Sequence, residues 1–277
     1  MGEQLAHEPA GNAFIEKTLD GLAINKPEEK MRIAPRGFEI DDSEEKCILI
    51  IGLNPAGDEK DAEREKKERT YLYSISKGEK ITSKWLYNSY YRPIYDFAKA
   101  VLGDKVKWPW CNKGWDELEK EIANSELSGN KKTLKDEYDN HKNHPYVIYI
   151  GDMFYYHETD SKSLPLSKKP NENPAAAKEY CKEMLRLHID ALKAANKTIE
   201  FVYINNAKVS HWLREDKEKT FEEVDGVKVF YGGMLSGKRS MDTFAKQRLV
   251  NEIKSNIRKE KMIRFKQIEA LSLCKSP

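Results

Sequence analysis

Apolar residues gather in four short runs along this chain, separated by longer stretches that carry them at helical spacing. Cys47-Ile48-Leu49-Ile50-Ile51 is unbroken and rich in β-branched residues, the pattern of a strand buried on both faces. Tyr146-Val147-Ile148-Tyr149-Ile150, Ile199-Glu200-Phe201-Val202-Tyr203-Ile204 and Val227-Lys228-Val229-Phe230-Tyr231 read the same way. Each run finishes in small or amide residues: Gly52-Leu53-Asn54-Pro55, Gly151-Asp152-Met153, Asn205-Asn206-Ala207, and Gly232-Gly233-Met234-Leu235-Ser236-Gly237. Between the runs, the spacing predicts helices over 83–102 and 174–196, and a last one over about 240–271. Strands alternating with helices need right-handed crossovers, which bring the strands parallel and their loops to one edge. The expected class is therefore α/β, a three-layer α/β/α arrangement around a central, mostly parallel, four-stranded sheet.

The chain, 1–277, reads as a single domain with a core over about 45–255. A lead-in covers 1–44, and a helical insertion over about 104–145 carries Trp108, Trp110 and Trp115. Charged residues make up 34 % and hydrophobic ones 39 %, which implies a lean core under a heavily charged surface. With 48 basic against 46 acidic side chains the formal net charge is +2. That balance neither demands nor excludes nucleic acid, because like charges can still be segregated locally. The four cysteines, Cys47, Cys111, Cys181 and Cys274, lack CxxC spacing, which argues against a structural zinc or an iron–sulfur cluster. No apolar stretch is long enough to span a bilayer. The expectation is a cytoplasmic, reduced protein, monomeric and without membrane contact.

Ligands of open α/β sheets bind beyond the carboxyl ends of the strands, so chemistry is sought in the strand-end loops. Asn54 brings an amide to the end of the first strand, where it either closes the turn or faces a ligand. Asp152 ends the second, as a loop cap or as an acceptor for N–H donors. Ser236-Gly237-Lys238-Arg239-Ser240 offers hydroxyls, backbone N–H groups at a helix start and two cations, a set suited to phosphate. A capped helix N-terminus with a basic surface is the plainer reading of that stretch. His157-Glu158-Thr159-Asp160 is poor material for a metal site, and neither a GxSxG elbow nor a P-loop is present.

Gly52-Leu53-Asn54-Pro55 resembles the first motif of the mismatch-specific thymine/uracil branch of the uracil-DNA glycosylase superfamily. The segment from Gly232 to Arg248 resembles the second motif, a loop after the last strand that enters a helix. The resemblance spans roughly residues 45 to 255. It implies a DNA glycosylase that hydrolyses the N-glycosidic bond of uracil or a related damaged base, with DNA as partner and no metal or organic cofactor. Asn54 would position the attacking water. Gly52, Leu53, Pro55, Tyr71, Tyr73 and Asp152 would line the base pocket. Met234 and Leu235 would wedge at the base stack, beside Ser236, Lys238 and Arg239 on the DNA. Active members place a histidine at the start of the second motif, where this chain has Gly232 and Gly233. The resemblance therefore also admits a catalytically silent or altered member that binds nucleic acid or a nucleobase-like ligand. A histidine set at Gly232 is expected to raise activity if the loop follows the family's path.

Overall fold

A computed structural model describes residues 46–53, 91–103, 106, 146–154, 174–216, 218–237 and 240–273. In chain order the elements are β1 (Lys46–Gly52), α1 (Tyr91–Leu102), β2 (Tyr146–Asp152), α2 (Pro174–Ala194), β3 (Thr198–Ile204) and α3 (Ala207–Leu213). They are followed by β4 (Phe221–Val224), β5 (Val227–Tyr231) and α4 (Thr243–Leu273). The strands form one sheet in the order β2-β1-β3-β5-β4. β1 pairs in parallel with both β2 and β3, and β3 with β5. All four expected strands therefore share one sheet and one direction.

The sheet has five strands among the described residues, not the four expected. The added one, β4, runs antiparallel to β5 at the edge. It arrives through a tight hairpin at Asp225-Gly226, whose φ angles of 49° and 75° are both positive. Two left-handed residues are what a two-residue turn needs to match strand twist, and Asp-Gly adopts them at low cost.

Alternation along each strand divides the core between the two faces. Cys47, Leu49 and Ile51 of β1, with Val202 and Ile204 of β3, meet α2 through Tyr180, Met184 and Leu185, and α3 through Val209 and Trp212. Ile48 and Ile50, with Phe201, Tyr203 and Phe230, meet α1 through Ile94 and Phe97, and α4 through Leu249, Val250 and Ile253. Helices thus cover both faces, which is why β1 reads as an unbroken apolar run: neither of its faces meets water. Among the described residues no helix is long and apolar enough to cross a membrane.

Candidate functional site

The order β2-β1-β3 means that the chain leaves β1 toward one side, then returns to build on the other. In open α/β sheets such a reversal marks where ligands bind beyond the carboxyl ends of the strands, here the ends of β1 and β3 at Gly52-Leu53 and the start of the β3–α3 connection. Hydrogen bonds fix the loops around it. The Met153 and Phe154 N–H groups donate to the Gly52 and Leu53 carbonyls at 3.1 and 2.8 Å, and the Asn205 N–H donates to the Ile51 carbonyl at 2.7 Å. β1 is therefore held from both sides up to its last residues. Gly52 lies in register beside Asp152, so two residues expected in the pocket are neighbours, with Asp152 half-buried.

Two adjacent amides end β3 and do different work. Asn206 caps α3: its backbone is extended, and its Oδ1 accepts from the N–H groups of Lys208 and Val209 at 2.9 and 3.2 Å. Asn205 is 2 % exposed, and its Oδ1 accepts from the Leu235 N–H at 2.7 Å. That bond ties β3 to the loop after β5. A backbone N–H can only donate, so it settles which amide atom is oxygen. The other atom, Nδ2, is buried and has no hydrogen-bond partner among the described residues. An orphaned buried donor costs about 1–3 kcal/mol. Asn205 was absent from the expected site residues. The rule that drew attention to Asn54, an amide just past a central strand, applies to it equally.

The loop after β5 is clamped at its glycines. Ser210 Oγ donates to the Gly232 carbonyl at 2.8 Å and accepts from its N–H at 3.1 Å. The Tyr203 hydroxyl donates to the Gly233 carbonyl, and burial raises its pKa, which keeps the phenol in its donating form. A Cβ built on Gly232 would lie 2.8 Å from Tyr203 Cε2 and closer still to its hydroxyl. A histidine set at Gly232 would therefore have to displace the Tyr203 ring.

Beyond Gly233 the loop closes on itself. The Met241 N–H donates to the Met234 carbonyl at 2.8 Å, and the Lys246 ammonium donates to the Leu235 carbonyl at 2.8 Å. Met234 is half-buried, whereas Leu235 is 1 % exposed within the core and Ser236 is also buried. Leu235 therefore fills the core and has no free side chain to wedge into a base stack. The cap of α4 is Asp242, whose carboxylate accepts from the Ala245 N–H at 2.8 Å, and not Ser240. Lys246, unremarked in the sequence, is the cation this loop holds closest among the described residues. Asn54, Pro55, Tyr71, Tyr73, Lys238 and Arg239 lie outside the described residues.

At the β4 end of the sheet an open groove of about 770 Å³ is lined, among the described residues, by Glu215, Asp216, Glu218, Glu222 and Glu223, with Lys219 as a cation beside them. Neighbouring ammonium groups, chiefly Lys182, hold the Glu215 carboxyl below its usual pKa range and so favour its charge. The described lining of the groove is mostly acidic, which disfavours a phosphate backbone there. Among the described residues no three His, Cys, Asp or Glu gather as a metal-binding group. At these strand ends the described side chains can position and donate hydrogen bonds, and no histidine is among the described residues from Gly52 to Leu53, Asp152 to Phe154 or Gly232 to Gly237. No family model, curated protein or solved structure matches the chain.

Proposed function

We propose that this chain takes a nucleobase into the crevice at the carboxyl ends of β1 and β3 and hydrolyses the N-glycosidic bond of uracil or a related base in DNA. On this reading it is a divergent member of the uracil-DNA glycosylase superfamily, with that family's three-layer α/β/α fold. The observation that carries the proposal is the reversal of strand order at β1. Gly52 and Leu53, where the motif that continues into Asn54 begins, end the strand beside that reversal, which supports the reading.

Excision requires that the base leave the stack, that a water be positioned, and that charge growing on the departing base meet fixed donors. Asn54 orients the water; a carboxamide is a poor general base, so the chemistry is slow. Backbone N–H groups face the leaving base in place of a histidine. The clamped Gly232 peptide favours one further reading, a silent member that binds the base without releasing it, since no side chain can enter at that point.

Single-turnover base release from a uracil-containing oligonucleotide, read by alkaline strand cleavage, separates the two. The wild type should release uracil, and Asn54→Ala should lower the rate by about 100-fold, the scale of losing one preorganised polar group. Tight binding without release would select the silent reading. Neither binding nor release would reject both.

A further inference from the structure

We propose that the Met241 thioether is an oxidation-sensitive latch on the loop after β5, closed while the sulfur is reduced and opened when a peroxide converts it to the sulfoxide. Met241 stands where that loop returns to the core just before α4, and its side chain is half-buried against the core shared with α1 and α4. Its sulfur accepts from the Gly233 N–H at 3.3 Å. The same sulfur lies 4.0 Å from the Tyr203 hydroxyl, which donates to the Gly233 carbonyl. Both polar groups of Gly233 are thus held, one by the thioether and one by the phenol. The packing is close: a Cβ built on Gly233 would lie 2.8 Å from Met241 Cγ and 3.6 Å from the sulfur. The Met241 backbone closes the same loop by donating to the Met234 carbonyl.

A thioether is an apolar body with a weak acceptor, which suits this place at the rim of the core. In oxidation a sulfur lone pair attacks one oxygen of hydrogen peroxide. The S–O bond forms as the O–O bond breaks, and the departing hydroxide takes up a proton to become water. The sulfur loses two electrons and the peroxide gains them. An oxygen has no room between the sulfur and the Gly233 N–H, so the side chain must retreat. The sulfoxide oxygen is also a stronger acceptor than sulfur, and it competes with the Gly233 carbonyl for the Tyr203 proton. Each effect costs Gly233 a partner and loosens the loop from Gly232 to Met241. Other described methionines are placed differently. Met153 and Met184 are buried, and Met262 is exposed about 30 Å along α4 from the loop. What the latch controls rests on the base-binding reading above, in which this loop borders the ligand; the latch itself does not.

The test compares wild type with Met241→Leu, a near-isosteric change that keeps the apolar contact and removes the sulfur. Both are treated with hydrogen peroxide, and peptide mass locates the oxidation. Amide exchange then follows the N–H groups of Leu235 and of residue 241, which are bonded to Asn205 and Met234. Oxidised wild type should exchange them about 10-fold faster, the scale of one lost hydrogen bond, and a methionine sulfoxide reductase should restore slow exchange. Peroxide should leave Met241→Leu unchanged. An equal response in both proteins would assign the effect to another methionine and overturn the proposal. A Met241 that stays reduced in the folded protein, or a sulfoxide that leaves exchange unmoved, would do the same. Binding of a uracil-containing oligonucleotide should weaken by about 10-fold on oxidation of wild type only, and unchanged binding would overturn the latch's control of the site. If untreated wild type binds no such strand, the base-binding reading fails, and exchange still decides the latch.

Discussion

At Gly232 the backbone passes so close to the Tyr203 ring that a single added carbon has no room. Both partners are held, the glycine peptide by Ser210 and the tyrosine by core packing against Phe97 at 4.9 Å between ring centroids. Relief must come from moving one of them. Gly232→Ala should therefore destabilise the fold by about 1–3 kcal/mol, the usual cost of overpacking, and lower the urea midpoint accordingly. A midpoint equal to that of wild type would show that the loop is looser than its hydrogen bonds imply. The two amides after β3 make the complementary point. Asn206 makes two hydrogen bonds to backbone N–H groups, while Asn205 uses its oxygen and leaves its nitrogen unmatched among the described residues.

Within α2, His188 is 1 % exposed and its Nδ1 sits 2.6 Å from the Met184 carbonyl, so that nitrogen carries the proton and donates. Burial lowers its pKa from 6.5 to about 4, against the smaller opposing pull of that carbonyl. The folded ring stays neutral while the unfolded one takes up a proton, so the unfolded state binds more protons between those values. The stabilisation is complete above pH 6.5 and is lost as pH falls toward 4, by up to about 3 kcal/mol. His188→Leu should show a smaller drop in Tm than wild type between pH 7 and 4.5. Parallel curves would mean that the imidazole is hydrated and titrates normally. Elements differ in how plainly the sequence announces them. The four parallel strands stand out because strands covered on both faces are continuous apolar runs. β4 does not: it is four residues long, sits at the edge and carries Glu222 and Glu223. Its hairpin was nevertheless marked by Asp225-Gly226, a pair that favours a two-residue turn. That the strand-end loops gather at one edge of the sheet was legible from the alternation of strands and helices. The role of Asn205 was not, because it depends on Leu235 returning to it from 30 residues further on. The burial of Leu235 likewise follows from the loop's closure between Met234 and Met241, a tertiary contact without a local signature.

Over the whole chain the formal charge is only +2. Carboxylates crowd the groove beside β4, while α4 carries eight Lys and Arg against three Glu. Lys238 and Arg239 lie in sequence between the β5 loop and that helix. Lys238→Glu with Arg239→Glu should weaken DNA binding regardless of sequence. If each cation neutralises one phosphate, the salt dependence should flatten by nearly 2 in log–log slope, at about 0.9 per contact. Fluorescence anisotropy across a salt series reads both effects, and equal slopes and affinities would place the phosphate contacts elsewhere.

Amide hydrogen exchange with and without a uracil-containing oligonucleotide tests the location of the site most directly. Protection is expected at Gly52-Leu53, at Asn205-Asn206 and across Gly232–Gly237, all at the carboxyl edge of the sheet. The opposite edge, at Lys46, Tyr146 and Thr198, should be unchanged. Protection confined to that opposite edge, or to the acidic groove from Glu215 to Glu223, would contradict a base-binding crevice between β1 and β3.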